Sequence, residues 1–124
     1  MATGTLITES FRLGAALEGA PFTTTRVERV RADLSEHQRE VGLAETWTLV
    51  AFEVADDRAA PLANALAAVL DTPGWYADLH TGDRSFVVFA GRVFAYARDD
   101  ARGRGEAEAY ARAHGVPDHQ IDWP

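Results

Sequence analysis

Residues 86–98, FVVFAGRVFAYAR, are apolar at both odd and even positions. A strand with one face in water alternates apolar and polar side chains, so a strand without that alternation needs cover on both faces. Gly91, in the middle of the stretch, favours a tight turn and predicts a β-hairpin. Each face of that hairpin therefore needs a cover.

The predicted hairpin separates into two chemically different faces. With Gly91 and Arg92 as the central residues of a two-residue turn, Phe89 pairs with Phe94 and Val87 with Tyr96, because facing side chains share a side of the sheet. The first face is mostly small and carries Phe86, Val88, Ala90, Val93, Ala95 and Ala97. The second, called here the aromatic face, carries Val87, Phe89, Phe94 and Tyr96.

Two predicted helices are also small on one side, through Ala63 and Ala67 in the first and Ala107 and Ala111 in the second. Small side chains let a helix approach a sheet closely, so we expect both helices on the small-residue face. The aromatic face then needs a cover of its own, because large exposed apolar patches are unusual on monomers. Three covers are compatible with the sequence: the first strands with the 34–44 segment, a second copy in a homodimer, or a ligand pocket.

The rest of the chain supplies the other elements of a single domain spanning residues 1–124. Apolar patterning predicts strands over 5–13, 22–32, 46–54 and 75–80, helices over 58–71 and 101–115, and one or two helical turns at 35–41. A helical turn within 22–32 remains an alternative, and Ile121 and Trp123 are expected to fold back onto the core. The predicted fold is α+β, a two-layer, mainly antiparallel sheet of about five to six strands with two helices packed on one face.

Composition excludes several classes of function. The absence of Cys excludes disulfides and thiol chemistry, and the absence of Lys excludes Schiff-base and P-loop mechanisms. A net charge of −7 argues against nucleic-acid binding. The N-terminus has no secretion signal and no apolar run is long enough for a membrane span. With Arg as the sole cationic side chain, as in GC-rich bacterial genomes, these features predict a bacterial cytoplasmic protein.

The best catalytic candidates lie in WYADLH, residues 75–80. On a strand Tyr76, Asp78 and His80 share one side, and an Asp can orient a His for acid–base chemistry. Tyr96 is a second candidate hydrogen-bond donor. The alternative is that the polar trio forms the solvated side of an edge strand.

Other chemistries have weaker support in the sequence. His114, Asp118, His119 and Asp122 crowd the C-terminus, but a helix end divides them and no metal signature results. No GxSxG motif surrounds any Ser, so a hydrolase elbow is absent. We therefore predict no metal and no cofactor.

Two function hypotheses follow. In the first, the protein binds a small, partly apolar molecule on the aromatic face, with cofactor-free acid–base chemistry of an isomerase, cyclase or lyase type. The residues then assigned to binding are Trp75, Val87, Phe89 and Phe94. In the second, the protein is a non-enzymatic interaction module, a homodimer or an acidic adaptor or inhibitor, that uses the same face as its interface.

Overall fold

A computed structural model describes all residues 1–124 and shows a six-stranded antiparallel sheet with three α-helices. The strands are β1 Ala2–Ile7, β2 Thr23–Arg31, β3 Thr46–Val54, β4 Ala77–His80, β5 Arg84–Phe89 and β6 Arg92–Ala97. The helices are α1 Glu36–Glu40, α2 Ala59–Val69 and α3 Ala101–Ala113. The predicted α+β class with a helix-packed antiparallel sheet is confirmed, and 22–32 is a strand.

The strand order across the sheet is β2-β3-β1-β4-β5-β6. β1 pairs antiparallel with both β3 and β4, so those two strands run parallel to each other on either side of it. α2 carries the chain from β3 over β1 to β4. This crossover places the N-terminal strand in the centre of the sheet, where its side chains form part of both faces.

The first face of the sheet is closed by α2. Leu62 and Leu66 of the helix pack with Phe52 and Leu79 of the sheet in one buried cluster, which also includes Phe86 and Val88 of the hairpin. Phe11, Leu17 and Phe22, from the loop between β1 and β2, extend the cover around this cluster. The small-residue face of the hairpin is therefore under a helix, as the sequence predicts.

The second helix does not lie beside the first. α3 packs on the opposite face of the sheet, where its Ala107 and Ala111 are buried against Val87, Phe89 and Tyr96. The prediction of two layers with both helices on one face is wrong in this respect, and the sheet has a helix on each side. The aromatic face also needs a cover, because a large exposed apolar patch is unfavourable. α3 can approach it closely because Gly103 has no Cβ, which would lie 2.6 Å from the Cβ of Tyr96.

The cover of the aromatic face comes from the chain's C-terminal end. α3 and the tail that follows it contribute Ala107, Ala111, Val116 and Trp123, while Tyr110 and Ile121 pack at the margin of the cluster. Neither the first strands nor the 34–44 segment supplies this cover. The expectation that Ile121 and Trp123 fold back onto the core is confirmed, since Trp123 is only 2% exposed.

The hairpin register differs from the predicted one by a single turn position. Ala90 and Gly91 form the turn, so Val87 faces Phe94 and Ser85 faces Tyr96. Gly91 has φ +72°, whereas Ala90, like every non-glycine residue of the chain, does not have a positive φ. Type I′ and II′ turns need a positive φ at the first central residue, which is Ala90 here, so both are excluded. The composition of each face is unchanged, because moving the turn by one residue shifts the pairing by two.

Smaller departures from prediction concern element boundaries. β1 begins at Ala2, which is fully buried, and ends at Ile7 rather than continuing to residue 13. The capping box of Ser35 and Gln38 is present at α1. Asp100 caps α3, but no side chain caps α2. No helix is long and apolar enough to cross a membrane.

Candidate functional site

α3 and the tail cover only the β5–β6 side of their face of the sheet, and the remaining half is open. A cleft of about 640 Å³ lies there, over β3, β1 and β4. The C-terminal tail forms one wall through Gln120, Asp122 and Trp123. The cleft thus lies on the same sheet face as the aromatic cluster, beside the strands that α3 does not reach.

The floor of the cleft is built from transverse rows of paired residues. The first row is Glu53, Thr3 and His80, the second is Ala51, Thr5 and Asp78, and the third begins with Leu49 and Ile7. Small side chains in the second row leave the hollow, and the larger Trp47, Trp75 and Tyr76 stand around it. The floor therefore changes from polar at the Glu53 end to apolar at the Trp47 end.

Asp78 and His80 form a hydrogen-bonded pair on the β4 side of the floor. Nε2 of His80 lies 2.7 Å from Oδ2 of Asp78, and its Nδ1 lies 2.9 Å from Oγ of Ser85. Both imidazole nitrogens are thus engaged within the protein. The His80 side chain is 6% exposed and that of Asp78 is 17% exposed, so Asp78 is the member of the pair that a bound molecule can touch.

Ser85 lies between this pair and the core. It faces Tyr96 across the β5–β6 ladder, and Nε1 of Trp123 donates to the Tyr96 hydroxyl at 3.0 Å. Burial raises the pKa of Tyr96 despite the hydrogen bond from Trp123. When the Ser85 hydroxyl donates to Nδ1 of His80, the Nε2–H of His80 donates to Asp78. The arrangement orients the Asp78 carboxylate from behind.

This chain of groups has the connectivity of a serine-protease triad with the two imidazole nitrogens exchanged, but its Ser is buried. Ser85 is 1% exposed and does not line the cleft. It contacts Nδ1 while Asp78 contacts Nε2, and because the hydroxyl is buried, a molecule in the cleft does not reach it as a nucleophile. The geometry assigns Ser85 and His80 to positioning and leaves Asp78 as the group facing the cleft.

Tyr76 fastens the tail to the cleft wall. Its hydroxyl lies 2.6 Å from the carbonyl oxygen of Gln120 and 2.8 Å from Oδ1 of Asp122, and its ring packs edge-on against Trp123. Burial raises the pKa of Tyr76 strongly, and the Asp122 carboxylate raises it further. The hydroxyl is therefore a neutral donor that is already committed to the tail.

The far end of the cleft is lined by aromatic rings and by Gln120 of the tail, which α1 holds in place. Trp47 and Trp75 pack with their ring centroids 5.1 Å apart, and Nε1 of Trp47 donates to the carbonyl oxygen of Ala44 at 2.8 Å. The side-chain amides of Gln38 in α1 and Gln120 in the tail donate to each other, at 2.8 and 3.0 Å. This end of the cleft is thus a fixed wall.

The structure divides the predicted site residues into two groups. Trp75, Tyr76, Asp78 and His80 line the cleft. Val87, Phe89 and Tyr96 are buried beneath α3 and the tail, and Phe94 packs at the edge of that cluster. Phe89 and Tyr96 do not line the cleft, which begins on the other side of Tyr76.

Sequence reasoning missed the residues that the crossover brings to the floor, namely Thr3, Thr5, Leu49, Ala51 and Glu53. One signal was present, because Thr3 and Thr5 alternate with the apolar Ala2 and Leu6. Their position in the middle of the sheet, rather than at an exposed edge, depends on the pairing of β1 with both β3 and β4.

The polar residues of the C-terminus have separate partners. Asp118 pairs with Arg112 at 2.8 Å, His119 donates to the carbonyl oxygen of Asp33 at 2.7 Å, and His114 stacks on Tyr110. No group of three or more His, Asp or Glu side chains is arranged to hold a metal ion.

No protein-family model matches the chain, and neither a curated protein nor a solved structure shows significant similarity to it. The geometry of the cleft is therefore the basis of the proposed function.

Proposed function

We propose that the protein binds a small, partly apolar molecule in the cleft over β3, β1 and β4, and that Asp78 exchanges a proton with it. The observation that carries this proposal is the position of the Asp78–His80 pair on the floor of a 640 Å³ cleft that also contains Trp47 and Trp75. Ligand pockets are typically of this size, mostly apolar, with a few fixed polar groups.

Acid–base chemistry on the bound molecule would run through Asp78. His80 has no free nitrogen, and the hydroxyls of Tyr76 and Tyr96 are engaged with the tail and the core. Asp78 accepts a hydrogen bond from His80 on Oδ2, which leaves Oδ1 for a ligand proton. The reaction class this supports is removal or return of a proton at carbon without a cofactor.

The interaction-module hypothesis receives less support. Of its interface residues, Val87, Phe89 and Tyr96 are packed under α3 and the tail, and Phe94 lies at the edge of that cluster. A partner at that face would therefore have to displace both α3 and the tail. A bacterial cytoplasmic location, proposed from the Arg-only, Cys-free composition, is the setting in which we place the binding activity.

Titration of ¹⁵N-labelled protein with indole, a neutral and flat probe, tests the proposal by NMR. We expect shifts of the Trp47 indole N–H signal and of backbone amides in β1, β3 and β4, with the α2 amides unchanged. Absence of saturable shifts at these positions would contradict ligand binding in the cleft.

A filled-cleft variant supplies the matched control. Ala51→Phe places a ring in the hollow and should abolish the indole shifts. Ala95→Phe adds the same ring at an exposed position on the opposite face, in β6, and should leave them intact. Equal effects of the two substitutions would assign the shifts to non-specific association.

A further inference from the structure

The two ends of the cleft differ in charge as well as in polarity. Four acidic residues line it, Asp33, Glu53, Asp78 and Asp122, and Arg31 is the one arginine among the lining residues. Arg31 pairs with Thr46 at one end of β3, and Glu53 lies seven residues away near the other end. At about 3.3 Å per residue the separation is about 23 Å, so Arg31 does not neutralise the Glu53 end. Arg26, which the register places on this face beside Ala51, is ion-paired with Glu28 at 2.9 Å.

The Glu53 end is rich in acceptors that have no protein partner. The side chains of Glu53, Thr3 and Thr5 make no hydrogen bond or ion pair, although all three line the cleft. Oδ1 of Asp78 is likewise free, since His80 contacts only Oδ2. Neighbouring strands lie about 4.8 Å apart, so the Glu53 and Asp78 side chains project from strands roughly 10 Å apart, with β1 between them.

The opposite end offers flat apolar surface. Trp47 and Trp75 lie against each other there, and Leu49 and Ile7 lead from them toward the polar rows. A ligand that fills the cleft along β3 would therefore place an apolar body on the tryptophans and a donor-bearing head between Glu53 and Asp78.

We infer that the ligand is an amphipathic organic cation, with a protonated amine at the Glu53 end and a flat apolar body at the Trp47 end. An ammonium group carries three donors and no acceptor, which matches convergent carboxylate and hydroxyl oxygens. The negative charges also favour a cation electrostatically, and aromatic faces tolerate one. This inference rests on the proposed function and specifies its ligand class.

The test compares three probes that share an indole body and differ in the head group: tryptamine, which is cationic, tryptophol, which is neutral, and indole-3-acetate, which is anionic. Binding is followed by NMR through the indole N–H signal of Trp47 and the amides of Thr3, Glu53 and His80. We expect tryptamine to bind about three- to tenfold more tightly than tryptophol, as a partly exposed ion pair provides, and indole-3-acetate to bind most weakly.

The variant Glu53→Gln removes one charge from the cleft without removing an internal contact. It should reduce tryptamine affinity about threefold or more and leave tryptophol affinity unchanged. Glu18→Gln, an equivalent change at an exposed loop position on the α2 side, should alter neither. The wild-type probe series remains decisive even where a variant fails to fold.

The outcomes separate this inference from the proposed function. Equal affinity for tryptamine and tryptophol, or tightest binding of indole-3-acetate, would contradict the inference that the ligand is a cation. Either result would still support ligand binding in the cleft. Failure of all three probes to bind would overturn both. Tryptamine preference that persists in Glu53→Gln would place the cation elsewhere and overturn the assigned head-group end.

Discussion

Oγ of Ser85 lies 2.9 Å from Nδ1 of His80, on the side of the imidazole ring opposite Asp78. The contact comes from the sheet register, since His80 and Ser85 are directly paired across β4 and β5. The contact fixes the orientation of the buried His80 imidazole. The other ring nitrogen, Nε2, holds the Asp78 carboxylate on the floor of the cleft. A residue outside the cleft thus controls the geometry of one inside it.

Ser85→Ala should destabilise the protein by about 1–3 kcal/mol, because it leaves Nδ1 of His80 without a partner in a buried position. Chemical denaturation at pH 7 measures the change. Thr3→Val, which removes a hydroxyl with no internal hydrogen bond, should change the free energy of unfolding by less than about 0.5 kcal/mol. Equal losses in the two variants would show that the Ser85–His80 contact contributes nothing specific.

Asp78→Asn should slow proton exchange on a bound ketone. We expect the wild-type protein to accelerate deuterium incorporation at the α-carbon of 2-indanone in D₂O, and the variant to lose about 100-fold or more of that acceleration, the usual contribution of a positioned base. One-dimensional NMR follows the exchange. Asp99→Asn, an exposed change outside the cleft, is the matched control. Equal exchange rates in the wild type and in Asp78→Asn would contradict the catalytic role of Asp78. They would not affect the conclusion on ligand binding, which the indole titration tests separately.

Glu9→Gln should alter the response of the fold to acid. Burial alone would raise the pKa of Glu9, but hydrogen bonds from the backbone and side chain of Thr48 lower it overall, below its ordinary value of 4.5. The charged form is therefore favoured in the folded state. Its stabilisation is present above about pH 4.5 and is lost as the pH falls through the lower folded-state pKa.

The expected result is that wild type exceeds Glu9→Gln in stability at pH 7, by about 1 kcal/mol on the scale of a typical hydrogen bond, and that the difference shrinks below pH 4.5. Urea unfolding at pH 7, 5, 4 and 3 provides the comparison. Glu18→Gln, at a position without an internal contact, should show no such convergence. A difference that stays constant with pH would contradict the role given to the Thr48 contacts.

Tyr76→Phe should change how the stability of the fold depends on pH in the alkaline range. Burial and Asp122 raise the pKa of Tyr76 above its ordinary value of 10.0, so the folded state keeps the phenol neutral. The stabilisation is fully present below pH 10 and is lost as the pH rises beyond it, since the unfolded chain ionises first. Wild type should therefore lose more stability than Tyr76→Phe between pH 9 and 11, as measured by thermal unfolding. Parallel losses in both proteins would indicate an accessible phenol.

The local elements were largely predictable from the sequence, because they depend on short-range patterns. The run of Thr at 23–25 favoured β2, and β3 is apolar on both faces, as a central strand is. Ser35 with Gln38 marked the start of α1, and Asp100 marked the start of α3. The division of the hairpin into a small-residue face and an aromatic face also held, since it depends only on the two-residue period of a strand.

The sequence by itself determined that the aromatic face of the hairpin needed a cover, and that Trp123 would return to the core. It did not determine which segment would provide the cover, because Ala107 and Ala111 suit close packing on either face of a sheet. Only the tertiary structure decided that α3 covers Val87 and Phe89 and leaves the neighbouring strands open. Strand order is a long-range property, and it is the insertion of β1 between β3 and β4 that brings Thr3 and Glu53 into one cleft with Asp78.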